Sequence, residues 1–146
     1  MSDLLVIHGV NLSLLGERER EIYGRSTLKE IDRKIREISE KLGMSVEIFQ
    51  TNHEGAIIDR MIECSNKAKV IILNPGAFTH YSYAIRDCVS GVGVPTIEVH
   101  LSNIYSREPF RQSSVVAPVC LGQISGFGAD SYILAVKMAK KIIDGR

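Results

Sequence analysis

An α/β fold with a parallel central sheet is predicted by three features of the 146-residue chain. Apolar runs and amphipathic stretches alternate about five times. That alternation is the signature of repeated strand–helix units. The runs Leu4-Leu5-Val6-Ile7 and Val70-Ile71-Ile72-Leu73 are continuously apolar. Strands covered by helices on both faces read this way. Finally, polar residues gather after the apolar runs rather than before them. Five strands and right-handed crossovers favour the flavodoxin-like order 2-1-3-4-5, with helices on both faces. Ligands of such sheets bind outside the carboxyl ends of the strands.

The elements follow in order. The first strand, Leu4 to Ile7, runs into His8-Gly9-Val10-Asn11. Residues 12–24 carry Glu17-Arg18-Glu19-Arg20-Glu21 and then Tyr23-Gly24, which predicts an exposed, mobile loop. Thr27-Leu28-Lys29-Glu30 is a capping box. Leu28, Ile31, Ile35, Ile38 and Leu42 then step by three and four, so a helix follows, and Gly43 stops it. Val46, Ile48 and Phe49 mark a second strand that ends in Gln50-Thr51-Asn52-His53-Glu54-Gly55. Ile57, Ile58, Met61 and Ile62 give a second helix. The third strand runs into Asn74-Pro75-Gly76-Ala77-Phe78-Thr79-His80. A third helix is expected over residues 82–89, a fourth strand over 95–100 and a closing helix over 129–143. The fifth strand lies within residues 115–124, its limits blurred by Pro118. Met44, Phe49 and Met61 are assigned to the core. The whole chain, 1–146, reads as one catalytic domain.

Composition excludes several classes. A net charge of +1 gives no broad nucleic-acid or membrane footprint. Cys64, Cys88 and Cys120 are odd in number and form no C-x-x-C, so a reducing cytoplasmic setting is expected, without disulfides or a zinc site. No apolar run approaches the roughly 20 residues of a membrane span. The P-loop pattern and the G-x-S-x-G elbow are absent, and Gly126-Phe127-Gly128 follows the last strand rather than the first. His8, His53, His80 and His100 lack metal-ligand spacing, so no metal and no cofactor are expected.

The stretch from Pro95 to Arg111 carries the clearest chemistry. Glu98 and His100 are two apart on a strand and therefore share a face. A carboxylate beside an imidazole fixes its tautomer and favours its protonated form, which suits a general acid. The same pair also suits a purely structural contact. Arg107 and Arg111, at helical i, i+4 spacing, fit an anionic group. Together with the strand-end Asn and His residues, these point to acid–base chemistry beside a carbonyl, with hydrogen bonds holding an enolate.

Four motifs then carry a resemblance. They are Asn11-Leu12-x-Leu14-Leu15-Gly16-x-Arg18-Glu19-x-x-x-Tyr23-Gly24; Gln50-x-Asn52-His53-Glu54-Gly55; Asn74-Pro75-Gly76-Ala77-x-Thr79-His80-Tyr81-Ser82 with Ile85-Arg86-Asp87; and Ile97-Glu98-Val99-His100-Leu101-Ser102-Asn103 with Arg107-Glu108-x-Phe110-Arg111. In order and spacing they closely resemble the type II 3-dehydroquinate dehydratases, over nearly the whole chain. The resemblance implies a cofactor-free loss of water from 3-dehydroquinate, giving 3-dehydroshikimate through an enolate, in the shikimate pathway. It implies Tyr23 as the base that takes the proton alpha to the ketone, with Arg18 supplying positive charge beside it. Asn74 would hold the water that stabilises the enolate oxygen, and His100, supported by Glu98, would protonate the departing hydroxyl. The backbone of Leu101 and Ser102 would bind the substrate carboxylate, His80 and Arg111 its hydroxyls, and Asn11 would help place Tyr23 or its neighbours. Asp87 lies two helical turns beyond His80 and is implied to reach a neighbouring subunit's site, in a homo-oligomer of dodecamer size built from trimers.

Three rivals are weighed against this. A Schiff-base lysine is disfavoured because the lysines fall on helices or their ends, and Lys69 precedes its strand. A flavin or nucleotide module lacks a phosphate loop after the first strand. A non-catalytic binding protein that kept the pocket is the third.

The family often has proline where this chain has Val10 and Arg20. Loss of a fixed φ there is expected to loosen the first loop without removing the chemistry. Val10→Pro and Arg20→Pro should therefore leave turnover intact while shifting affinity, and complete loss of activity in either would contradict this.

Overall fold

The structure is a computed structural model that describes residues 2–17 and 19–145. Among these, five strands form one parallel sheet: β1 (Leu4–His8), β2 (Val46–Gln50), β3 (Val70–Asn74), β4 (Thr96–His100) and β5 (Gly122–Ser125). Their order is β2-β1-β3-β4-β5, as expected from the alternation. β1 is buried at every position, in line with its unbroken apolar run. β3 pairs with it in register, so His8 stands beside Asn74.

Helices cover both faces. α2 (Leu28–Lys41) and α5 (Asp130–Asp144) lie on one, where Ile31, Ile35, Tyr132 and Val136 pack on Leu4, Val6 and Ile72. α3 (Glu54–Glu63) and α4 (Tyr83–Val92) lie on the other, where Ile57, Met61, Ile85 and Val89 pack on Leu5, Ile7 and Leu73. Alternate residues of β1 thus feed opposite cores, as the two-residue period of a strand requires. Met44 and Met61 are buried, and Phe49 packs against the second core. The capping box starts α2: the Thr27 hydroxyl accepts the Glu30 N–H at 3.2 Å. Gly43 follows its end at φ +73°, the left-handed backbone that favours glycine. Ser82 caps α4 in the same manner, accepting from the Ile85 N–H at 3.0 Å.

Three expectations need correction. Residues 12–24 are not simply an exposed loop. Leu12 and Leu15 are buried, a 3₁₀ turn spans Leu12–Leu14, and a short helix, α1, spans Arg20–Tyr23. Leu12 and Leu15 reach the core that the charge run obscured, while Leu14 is exposed. β5 is shorter and later than expected, ending at Ser125, because Pro118 holds Ala117–Val119 in a 3₁₀ turn. Arg107 and Arg111 do not share a helix; Arg107 ends the 3₁₀ turn Ile104–Ser106 and Arg111 ends Pro109–Arg111, with Pro109 starting the second turn.

Two glycines let the loops after β1 and β3 meet. A methyl group on Gly9 would lie 2.3 Å from the Pro75 carbonyl oxygen. One on Gly76, at φ +65°, would lie 2.7 Å from the Val10 carbonyl oxygen. Gly9→Ala is therefore expected to destabilise the fold by about 2 kcal/mol, an ordinary cost of overpacking against backbone. Urea unfolding checks this, and an unchanged midpoint would contradict it.

Candidate active site

The carboxyl edge of β1, β3 and β4 opens into one cleft. Its walls include Asn11, Tyr23, Asn74, His80, His100, Leu101, Ser102, Arg107 and Arg111. Nine of the residues read from the sequence as site candidates are thus brought together or to its rim: Asn11, Tyr23, Asn74, His80, Glu98, His100, Leu101, Ser102 and Arg111. Glu98 takes its place beneath His100 rather than in the wall. Arg18 lies outside the described residues. Asp87 is exposed on α4 beside Ala84, Cys88 and Gly91, away from this chain's cleft, as its spacing from His80 implied.

The histidine of the cleft is built on β4. His100 and Glu98 point to one face, and His100 Nε2 donates to Glu98 Oε2 at 2.8 Å. That leaves Nδ1 as the imidazole nitrogen for the cleft. Glu98 is fully buried and holds two more donors: Gln123 Nε2 on Oε2, and the Ser114 hydroxyl on Oε1 at 2.8 Å. Burial by itself would push the Glu98 carboxyl up. The hydrogen bond and charge of His100, with the Gln123 and Ser114 donors, outweigh it and hold the carboxyl below its ordinary value. The site therefore keeps a buried carboxylate under its histidine.

Tyr23, also in the cleft lining, closes α1 and packs against the first core. The Arg107 guanidinium stands 4.9 Å from its ring centroid. Only a tenth of the Arg107 side chain is exposed. Among the described residues, its Nε is buried with no hydrogen-bond partner. The Glu108 carboxylate stands 3.9 Å from that nitrogen, beyond hydrogen-bond reach. The sequence marked Arg107 for an anion; it gave no sign of this contact with Tyr23.

The floor is Asn74. Its Oδ1 accepts from the Gly76 N–H at 3.0 Å, and its Nδ2 donates to the Tyr132 hydroxyl at 3.0 Å. Tyr132 in turn meets His8 Nδ1 at 2.8 Å, and His8 Nε2 meets Asp32 Oδ1 at 2.7 Å. Burial, with a smaller effect of the Asp32 charge, pushes the Tyr132 phenol up despite its bond to Asn74, so it stays neutral. On the far wall His80 is fixed by Nδ1 donating to the Ser113 carbonyl at 2.8 Å. Burial lowers its pKa from the ordinary histidine value, against that bond, so a neutral ring offers its other nitrogen as an acceptor.

Several strand-end polar residues prove to be scaffold. Asn52 Oδ1 accepts from the Asn11 N–H at 3.0 Å. Glu54 accepts from the Ser82 hydroxyl at the start of α4. Asn103 caps the turn after β4 through Tyr105 N at 3.1 Å. With β2 at the sheet edge, its carboxyl end stands aside from the crossing point between β1 and β3. Among the described residues no lysine lines the cleft, which removes the geometric basis for a Schiff base.

Comparison with known proteins matches residues 2–140 to the family model described as "Dehydroquinase class II". A 3-dehydroquinate dehydratase of Caldicellulosiruptor bescii is 53% identical over 145 residues, covering 99% of this chain and 100% of that protein. One of Bacillus mycoides is 54% identical over 136 residues, 93% of each chain. The type II dehydroquinase structure from Butyrivibrio crossotus superposes with a TM-score of 0.92 at 48% identity, covering 93% of this chain and 95% of that one. That from Propionibacterium acnes gives 0.91 at 37%, covering 97% and 98%.

Removing the Glu98 carboxylate strands three donors, so Glu98→Ala is expected to cost about 3 kcal/mol of stability. Because the folded carboxyl is held below its ordinary value, its contribution is present above that value and is lost as pH falls through the folded one. Unfolding of parent and variant from neutral to acid pH should therefore converge. A constant gap down to the lowest pH at which the parent folds would contradict this.

Proposed function

Because the chain belongs to the class II dehydroquinases, we propose that it removes water from 3-dehydroquinate to give 3-dehydroshikimate, by acid–base catalysis alone. Tyr23 takes a proton from the carbon alpha to the ketone. The electron pair moves to the ketone oxygen as an enolate, and a water held by Asn74 meets that charge. The enolate then collapses, the bond to the hydroxyl beta to the ketone breaks, and His100 gives that hydroxyl a proton as it leaves as water. One proton goes to Tyr23 and one comes from His100, so the elimination balances.

The observation that carries this reading is that a tyrosine, a carboxylate-backed histidine and a buried asparagine line one cleft. The cation needed beside Tyr23 is supported by Arg107 at 4.9 Å, with Arg18 of the same loop as a second. The Leu101 and Ser102 backbone takes the substrate carboxylate, His80 and Arg111 its ring hydroxyls, and Asn11 steadies the Tyr23 side. Arg111 is itself steadied by Glu108 at 3.1 Å. The whole chain, 1–146, acts as one catalytic domain.

The same reading extends to assembly and place. Asp87 is exposed, and Tyr81, Tyr83 and Phe110 are exposed near the cleft, which suits a homo-oligomer, a dodecamer built as a tetramer of trimers, in which Asp87 completes a neighbour's site. Three free cysteines suit the cytoplasm.

The test is the ultraviolet absorbance of the conjugated enone product when 3-dehydroquinate meets the purified chain without added cofactor. The parent should turn over. Tyr23→Phe and Arg18→Ala should each lose activity by about 10³-fold, on the scale of a positioned general base. A folded, assembled parent that produced no enone would overturn the reading.

A further inference from the structure

We propose that Tyr132, His8 and Asp32 form a buried relay of positioning residues that aims the Asn74 amide into the cleft. The proposal rests on the role given to Asn74 above.

Asn74 offers two N–H groups and one carbonyl oxygen. The carbonyl is taken by the Gly76 N–H at 3.0 Å, and one N–H is taken by the Tyr132 oxygen at 3.0 Å. Only the second N–H is left for the cleft that Asn74 lines. An amide flipped by 180° would present its NH2 to the Gly76 N–H, two donors face to face, and would turn its oxygen towards Tyr132. The backbone contact resists this flip from one side. Whether Tyr132 resists it from the other depends on which way its own proton points.

That direction is set further along the chain. A carboxylate only accepts, so Asp32 requires His8 Nε2 to carry a proton. In the neutral ring Nδ1 is then an acceptor, and Tyr132 must donate to it at 2.8 Å. With its proton committed to His8, the Tyr132 oxygen faces Asn74 as an acceptor. Every bond in the series then runs one way, from Asn74 to Tyr132 to His8 to Asp32. The series crosses β3, α5, β1 and α2, and His8 and Tyr132 are fully buried. In such a setting an unmatched donor or acceptor is costly, so the orientation is firmly held. Asp32, with 28% of its side chain exposed, anchors the outer end.

None of these three residues lines the cleft, so their effect on catalysis must pass through Asn74. Asn74 is assigned to the charge that develops on the enolate oxygen, so losses should fall on kcat rather than KM. Tyr132→Phe keeps the ring and removes the hydroxyl. It should lower kcat by about 10-fold with KM changed less than about twofold. In an Asn74→Ala background the same substitution should have no further effect on kcat. At the outer end, where substitution is compatible with folding, Asp32→Ala should lower kcat and Asp32→Asn, which keeps an acceptor for His8, should restore part of it. Equal loss from Tyr132→Phe with and without Asn74, or unchanged kcat in Asp32→Ala, would overturn the relay. Turnover by the parent is read first, so failure of the dehydratase reading is separate from failure of this one.

Discussion

The backbone at Gly9 runs so close to Pro75 that a methyl group there would sit 2.3 Å from a carbonyl oxygen. Gly76 meets Val10 almost as closely, and the Gly9 N–H donates to the Asn74 carbonyl at 2.7 Å. These contacts weld the ends of β1 and β3, the two strands at which the order of the sheet reverses. The rest of the cleft inherits its geometry from that weld. Asn11 leaves it on one side, in the left-handed backbone region at φ 65°. Asn74 ends it on the other. The leucines after Asn11 then turn down into the core and deliver Tyr23 to the rim.

Two buried polar strings rise to this edge from opposite faces. One supports His100 through Glu98, Gln123 and Ser114. The other supports Asn74 through Tyr132, His8 and Asp32. Buried polar groups cost stability unless each is matched, and both strings are matched from end to end. The fold thereby commits core volume to fixing side chains at its surface. Arg107 is the contrast: its buried Nε has no hydrogen-bond partner among the described residues and only the Glu108 carboxylate at 3.9 Å as an ion pair. It lines the cleft.

Much of this was legible in the sequence because it depends on local spacing. Unbroken apolar runs gave the parallel strands, and the Thr27 capping box gave the start of α2. Glu98 and His100 could be paired because i and i+2 share a strand face. What could not be read depends on distant residues. Nothing near Glu98 announces Ser114 or Gln123, and His8 meets a tyrosine 124 residues later. The available signals were faint: a tyrosine within the apolar stripe of α5, and an aspartate on the side of α2 nearest the sheet. Residues 12–24 misled for a different reason. Their charge run is conspicuous, while Leu12 and Leu15, which decide how the segment packs, look ordinary.

The account makes proton removal the work of Tyr23 and hydroxyl departure the work of His100, and this division is open to direct measurement. In heavy water, His100→Ala should still exchange one hydrogen alpha to the ketone of 3-dehydroquinate for deuterium, because Tyr23 and Asn74 remain, while little enone forms. Tyr23→Phe should do neither above background. Proton magnetic resonance of the recovered substrate reads the exchange. Absence of exchange in a folded His100→Ala protein, or exchange that survives in Tyr23→Phe, would contradict the assignment of base and acid.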